Sequence, residues 1–317
     1  MYNPSIKSPR GNLNLRRLNE MKGIKKLLAL LLAMSMMVFA FAACSNQDAS
    51  QSQNQNPSQD VTPSNEPADS QEPANSDAGS ATGDYGEFTT VEEGKLIMST
   101  NAAFPPYEMT SDGEGYNGTG FEGIDVEIAG AIADKLGLEL HIDDMDFTAS
   151  LEAAQKGMSD MVMAGVTVDE DRLAVMDFSN SYATGVQVII VKEGSDVTLD
   201  NLGEQLIGVQ NGTTGWQYCT DDFGSEHVAA FDNGITAVQA LMNDQVDCVV
   251  IDQAPAQSFV EQNPGLTILD TEYAVEDYAI GVAKGNTSLL NAINTVLEEL
   301  QADGTIQSII DKYIPAE

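Results

Sequence analysis

Cations are scarce in this chain. Its 317 residues hold 14 Lys and Arg against 49 Asp and Glu, a formal charge of −35. The first 43 residues contain seven of those cations and one acid, Glu20, so the rest of the chain carries −41. A field of that sign repels polyphosphates and anionic headgroups, which excludes nucleic-acid binding and a basic-patch contact with lipid. Histidine is nearly missing as well. His141 and His227 match no metal-ligand spacing, so a three-ligand zinc site or a His-activated nucleophile lacks its parts, and no metal or cofactor is expected. Cysteine is limited to Cys44, Cys219 and Cys248. The last two are either one disulfide or two plain buried thiols, the more usual state of isolated cysteines outside a motif. Beyond position 17 there is a single arginine, Arg172, set among acids in Val168-Asp-Glu-Asp-Arg172.

The early cations have a purpose of their own. Met21-Lys-Gly-Ile-Lys-Lys26 leads into the uncharged, mostly apolar run Leu27 to Ala43, which ends at Phe41-Ala-Ala-Cys44. A basic start, an apolar middle and a small-residue end describe a signal peptide rather than a lasting membrane span. The ending resembles the bacterial lipobox, with Phe41 in place of the usual Leu, and this implies that Cys44 is lipidated and becomes the mature N-terminus. Met21 starts a complete signal peptide by itself, so residues 1–20 read as an upstream mis-start. From Ser45 to about Glu87, Val, Ile, Leu and Phe are absent but for Val61. Such a segment cannot bury enough apolar surface to order itself, and reads as a flexible tether of roughly 35 Å reach.

From about residue 88 the pattern changes to that of a folded α/β domain with enough apolar residues for a sizeable core. Strands are expected at Lys95–Thr100, 138–142, 160–163, 206–209 and 246–251, and helices near 124–136, 150–156, 235–243, 254–262, 288–301 and 306–313. Ile124, Ile128, Ile132 and Leu136 recur at helical spacing and stop at Gly137, a natural C-terminal residue. Alternation of strand and helix argues for largely parallel sheets. Gly157-Met-Ser-Asp-Met-Val-Met-Ala-Gly165 and Asn243-Asp-Gln-Val-Asp-Cys-Val-Val-Ile-Asp252 echo each other as helix end, turn, apolar strand and polar exit. Two such units would deliver polar groups to strand carboxyl ends, where open α/β sheets bind ligands.

Six motifs then occur in one order: Ser99-Thr-Asn-Ala-Ala-Phe-Pro-Pro-Tyr-Glu108, Gly123-Ile-Asp-Val-Glu-Ile-Ala129, Met145-Asp-Phe147, Ala164-Gly-Val-Thr-Val-Asp-Glu-Asp-Arg172 with Asp177-Phe-Ser179, Gly208-Val-Gln-Asn-Gly-Thr-Thr-Gly215, and Val249-Val-Ile-Asp252. Over residues 90–315 the chain resembles the family 3 extracellular solute-binding proteins, the polar amino-acid receptors of ABC importers. The resemblance implies a two-lobed periplasmic-binding-protein-like fold of type II with two crossover hinge strands. Lobe 1 is then 88–184 with 278–317, and lobe 2 is 185–277. It also implies a monomer that delivers an amino acid to a membrane permease, lipid-anchored on the outer face of a Gram-positive-type cell rather than free in a periplasm.

The same resemblance places Arg172 on the ligand carboxylate. A guanidinium fork suits that group, although an arginine among acids is as often a surface ion pair with Asp169 or Asp171. Gly165 and Thr167 would take the ammonium, the threonine having a helix cap as its ordinary alternative. Thr214, in a glycine-flanked turn before a helix, would offer an amide to the carboxylate. Asp252 would pair with the ammonium, against the plainer role of capping a helix ahead of Ala254. Phe104 and Phe147 would sandwich the ligand side chain, though periodicity alone makes both core. Asn101 and Gln210 would meet its far end. No second cation is available for an acidic side chain, and no acid stands at 101, 103 or 104 for a basic one, so neutral and basic amino acids both stay open. Two alternatives remain beside this: an enzyme on the same fold, such as a dehydratase, for which the motifs supply no free acid or base, and a ligand sensor.

Overall fold

A computed structural model describes residues 83–315. The expected signal peptide, Cys44 and nearly all of the tether lie outside them. The tether's last residues depart from expectation: the Tyr85 hydroxyl donates to Glu299 Oε2 at 3.1 Å, and Tyr85 and Phe88 pack against the core. Their rings supply apolar surface, so the folded domain takes in residues expected to belong to the tether.

The elements run β1 (Lys95–Thr100), β2 (Ala103–Phe104), β3 (Glu108–Thr110), β4 (Phe121–Glu122), α1 (Ile124–Leu136), β5 (Glu139–Asp144), α2 (Phe147–Gln155), β6 (Met161–Val162), α3 (Glu170–Val175) and β7 (Met176–Lys192). They continue with β8 (Ile207–Gln210), α4 (Thr214–Phe223), β9 (Val228–Phe231), α5 (Gly234–Met242), β10 (Cys248–Asp252), α6 (Gln253–Gln262), β11 (Leu266–Ile268), β12 (Ala274–Ala283), α7 (Thr287–Ala302) and α8 (Thr305–Tyr313). In α1 the isoleucines at 124, 128 and 132 are fully buried, and the helix stops where Gly137 turns left-handed at φ 71°. That conformation is nearly free for glycine and costly for other residues. The α2 helix starts three residues before the expected Ser150, because Phe147 is drawn into the core at 6% exposure; tertiary packing outweighs the poor helix propensity of its first turn.

The large sheet has the order β5-β1-β6-β12-β7-β10-β8-β9, with β11 also on β7. It is parallel only in two blocks, β5-β1-β6 and β10-β8-β9. Between them β12 and β7 run antiparallel to each other and to their neighbours. The expectation of largely parallel sheets therefore holds within each block and fails at the centre, where two long strands serve both blocks. Glu276 pairs with Gly185, Asp277 with Thr184 and Tyr278 with Ala183, so the expected lobe boundaries, 184/185 and 277/278, lie side by side in one ladder.

The core is divided in the same way. One body of buried side chains joins β1, α1, β6, α7 and α8, with a smaller group around Phe147, Val162 and Met176. Two others pack on either side of β8 and β10, one against α5 and α6 and one against α4. Each block thus has its own apolar interior, as a two-lobed fold requires. Cys219 and Cys248 belong to the α4 group and are buried as thiols; burial pushes Cys248 up to about 12.

Candidate functional site: a cavity between two strand blocks

The exits of β6 and β10 face one cavity, lined by all nine residues singled out above: Asn101, Phe104, Phe147, Gly165, Thr167, Arg172, Gln210, Thr214 and Asp252. The space between them, including its mouth, is about 470 Å3.

After β6 the chain turns through Gly165 at φ 54°, and a Cβ there would lie 2.8 Å from the Phe104 ring. Only glycine combines that dihedral with that contact. The turn aims the Gly165 N–H at Asp125 Oδ2, 3.0 Å away on α1. Thr167 follows, bridged to Tyr278 of β12, with its hydroxyl 3.5 Å from that of Thr214. It does not cap α3. Asp169 does, accepting from the Arg172 N–H at 2.7 Å, because its carboxylate stands one turn ahead of the orphaned amide.

Arg172 makes the ion pair weighed for it and also lines the cavity. Nε lies 3.3 Å from Asp169 Oδ2, which is the ion pair. Yet the side chain is only 11% exposed and turned inward. Nη1 donates to the Thr167 carbonyl at 2.8 Å and Nη2 to the Gly212 carbonyl at 3.3 Å, so the fork reaches from the β6 exit to the turn before α4. The Phe147 ring lies 5.5 Å away. Burial works against the charge and Asp169 is the largest influence restoring it. A guanidinium stays ionised under such conditions where a lysine titrates.

Asp252 takes the plainer role weighed for it and also lines the cavity. It is the N-terminal cap of α6, with Oδ1 accepting from the Ala254 N–H at 3.1 Å and Oδ2 from the Val186 N–H at 2.8 Å. It is also 1% exposed and lines the cavity. Burial pushes its carboxyl up to about 6, while the two backbone N–H groups and Tyr278 pull the other way. Thr214 opens α4 behind the capping residue Thr213, whose hydroxyl accepts from the Trp216 N–H at 3.1 Å. The first-turn amides of that helix have no helical acceptor. At the other end of the cavity Gln210 Nε2 donates to Asn101 Oδ1 at 3.0 Å, and Asn101 Nδ2 to the Met145 carbonyl at 2.9 Å.

Sequence reasoning missed several lining residues, among them Glu108, Gln187 and Tyr278. Gln187 Nε2 donates to the buried Glu276 at 2.9 Å. Tyr278 is fully inside, and its ring and Asp252 crowd Gly185 so closely that a Cβ there would lie 2.5 Å from the Tyr278 hydroxyl. Glu108 sat in a motif already recognised and Tyr278 in none; burial and facing direction, which come from the fold, single both out.

The decisive comparison is with the family model for bacterial extracellular solute-binding proteins, family 3, which matches residues 96–316. The chain belongs to that family. Among these solute-binding proteins it is 28% identical over 230 residues to the L-cystine-binding protein TcyJ of Escherichia coli (strain K12), covering 71% of this chain and 85% of that one. It is 30% identical to the arginine-binding extracellular protein ArtP of Bacillus subtilis (strain 168), covering 70% and 87%. A solved structure of an ancestral arginine-binding protein bound to glutamine matches at 38% identity and a TM-score of 0.66, covering 71% and 100%. As in such solute-binding proteins, the α/β fold is two-lobed, and the cavity described above lies between the lobes.

Proposed function

We propose that the protein captures a polar α-amino acid outside the cytoplasm and presents it to the permease of an ABC importer. One observation carries this: a buried arginine on the β6 exit and a buried aspartate at the end of β10 line one cavity, with neutral hydrogen-bonding groups between them. An α-amino acid carries a carboxylate and an ammonium on one carbon, and a cation facing an anion is its complement. Arg172 and the amides of Thr167 and Thr214 take the carboxylate. Asp252, the Gly165 carbonyl and the Thr167 hydroxyl take the ammonium. Phe104 and Phe147 flank the side chain, and Asn101 and Gln210 meet its end.

Arg172 belongs to lobe 1, residues 88–184 with 278–317, and Asp252 to lobe 2, residues 185–277. A ligand that bridges them binds the closed arrangement preferentially, and that differential affinity drives closure about the β7–β12 ladder. No chemistry is asked of the site beyond binding. The protein acts as a monomer, held by the lipidated Cys44 and its tether on the outer face of a Gram-positive-type membrane.

Trp216 is the sole tryptophan and follows Thr214 by two residues, so its emission reports the lobe contact. Titrating the purified protein with each of the twenty amino acids should change that emission and raise the melting temperature for a small subset. Silence from all twenty in both measurements would sink the assignment.

A further inference from the structure

Glu108 starts β3, Asp125 lies in the first turn of α1, and the backbone brings the two together. The first amides of α1, those of Ile124 and Asp125, donate to the Pro106 carbonyl at 3.0 Å and the Tyr107 carbonyl at 2.9 Å. Gly123 approaches so closely that a Cβ there would lie 2.2 Å from the Tyr107 carbonyl oxygen. Both carboxyls are buried, Glu108 at 1% exposure and Asp125 at 0%. They are hydrogen-bonded to each other, and Asp125 is also bonded to the hydroxyl of Tyr182 on β7. Outside this triad, Glu108 Oε2, Asp125 Oδ1 and the Tyr182 hydroxyl have no partner among the described residues. Asp125 Oδ2 is engaged elsewhere, accepting from the Gly165 N–H at 3.0 Å.

Two carboxylates have no donor between them, so their contact requires one of the pair to be a carboxylic acid. The surrounding groups decide which. Asp125 receives the Gly165 N–H and the Tyr182 hydroxyl, and both favour its ionised form. Glu108 has no such donor, and Asp125 and Asp144 on β5 add negative charge beside it. Burial therefore raises Glu108 well above the usual carboxylate range, while Asp125 is pushed only to about 6. At neutral pH Glu108 is the acid, and three donors converge on one carboxylate.

We propose that Asp125 is a positioning residue of the ligand site: fixed by Tyr182 and by the Glu108 acid, it holds the Gly165 N–H and so sets the turn that offers the Gly165 carbonyl and Thr167 to the ligand ammonium. The inference rests on the α-amino-acid function proposed above and adds a layer of residues behind its contacts. Gly165 requires such a hold. Its φ is 54°, and glycine, without a Cβ, has many backbone conformations open to it. A hydrogen bond from its amide to an ionised carboxylate is roughly twice as strong as one to a neutral acceptor. Tyr182 lies on β7, one of the two long strands that serve both blocks, so the hold runs from that ladder to the turn.

Calorimetric titration of the intact protein and of Asp125→Ala, Glu108→Met, Glu108→Gln and Tyr182→Phe with each of the twenty amino acids, together with infrared spectra at neutral pH, tests the proposal. Glutamine keeps an uncharged donor for Asp125, as the acid does, whereas methionine keeps the bulk and removes the donor. Asp125→Ala and Glu108→Met should each weaken binding by at least about tenfold, and Glu108→Gln should restore it to within about threefold of the wild type. Tyr182→Phe should weaken it by at least about threefold. The wild type should show the carbonyl stretch of a buried carboxylic acid, which Glu108→Gln lacks and Tyr182→Phe shifts. Equal affinities in Glu108→Gln and Glu108→Met, full affinity in Asp125→Ala, or no such band in the wild type would overturn the proposal. If Asp125→Ala or Glu108→Met does not fold, Tyr182→Phe and the band decide, and an unchanged affinity in Tyr182→Phe sinks it. Should the wild type bind none of the twenty, the amino-acid function fails and takes the inference with it, an outcome distinct from binding that ignores these substitutions.

Discussion

The Arg172 side chain makes three polar contacts within the protein, to Asp169, Thr167 and Gly212. A residue with so many partners cannot be removed without structural cost, so alanine is a poor probe of binding. Arg172→Lys keeps the charge but cannot reproduce the fork. It should weaken ligand binding by at least about tenfold, about 1.4 kcal/mol, and lower unfolding stability by about 1–3 kcal/mol. Titration calorimetry and urea unfolding measure the two; an unchanged affinity would remove Arg172 from the ligand site. Gly165 is demanding for a different reason. Its positive φ, and a Phe104 ring only 2.8 Å from where a methyl group would sit, leave no relaxed place for a side chain. Gly165→Ala should cost about 1–3 kcal/mol, read as a lower urea midpoint at an unchanged slope.

At the level of elements, the start of α6 holds a carboxylate that serves as cap and, in the proposed function, as ammonium partner. The two roles separate in Asp252→Asn. Asparagine still accepts the Ala254 N–H, so stability should stay within about 1 kcal/mol of the wild type, while ligand affinity falls by at least about tenfold. The pH responses run in opposite directions. Asp252 and Asp125 are both raised by burial from 3.8 to about 6, so the folded protein binds more protons than the unfolded chain between those values. Their stabilising effect is full below about 4 and is lost as pH rises through 6, so without ligand the thermal midpoint should drift down across that window. Ligand affinity should climb across it, because the ammonium needs Asp252 ionised. A midpoint that rises from pH 4 to 6 would contradict the burial of these acids. Much of this was legible beforehand: the isoleucine spacing and Gly137 fixed α1, and strand-end polar residues marked Thr167 and Asp252. Whether an aspartate caps, binds or does both depends on Val186 and Tyr278 arriving from other strands, which no local pattern records. Glu108 was invisible for the same reason, its burial beside Asp125 coming from the fold.

For the whole molecule, the proposed anchoring and the proposed capture fall on separate stretches of chain. Cys44→Ala should shift the protein from the membrane fraction to the medium, measured by immunoblot, with unchanged affinity for its amino acid; retention at the membrane would rule out the thioether anchor. Closure should reduce the radius of gyration in small-angle scattering when ligand is added and leave it unaltered in Arg172→Lys at the same ligand concentration. Among the described residues, β7 and β12 run between the two strand blocks, paired from Ala274 with Gln187 to Ala283 with Met176 and interrupted on both sides of Ala279. Such interruptions bend and twist a ladder. Affinity thus has a dial outside the pocket: exposed ladder positions such as Thr184 and Asp277 touch no ligand, yet stiffening or loosening them resets how much binding energy goes into bending the ladder. Evolution, or an engineer, can therefore retune the receptor's working concentration range without altering which amino acid it accepts.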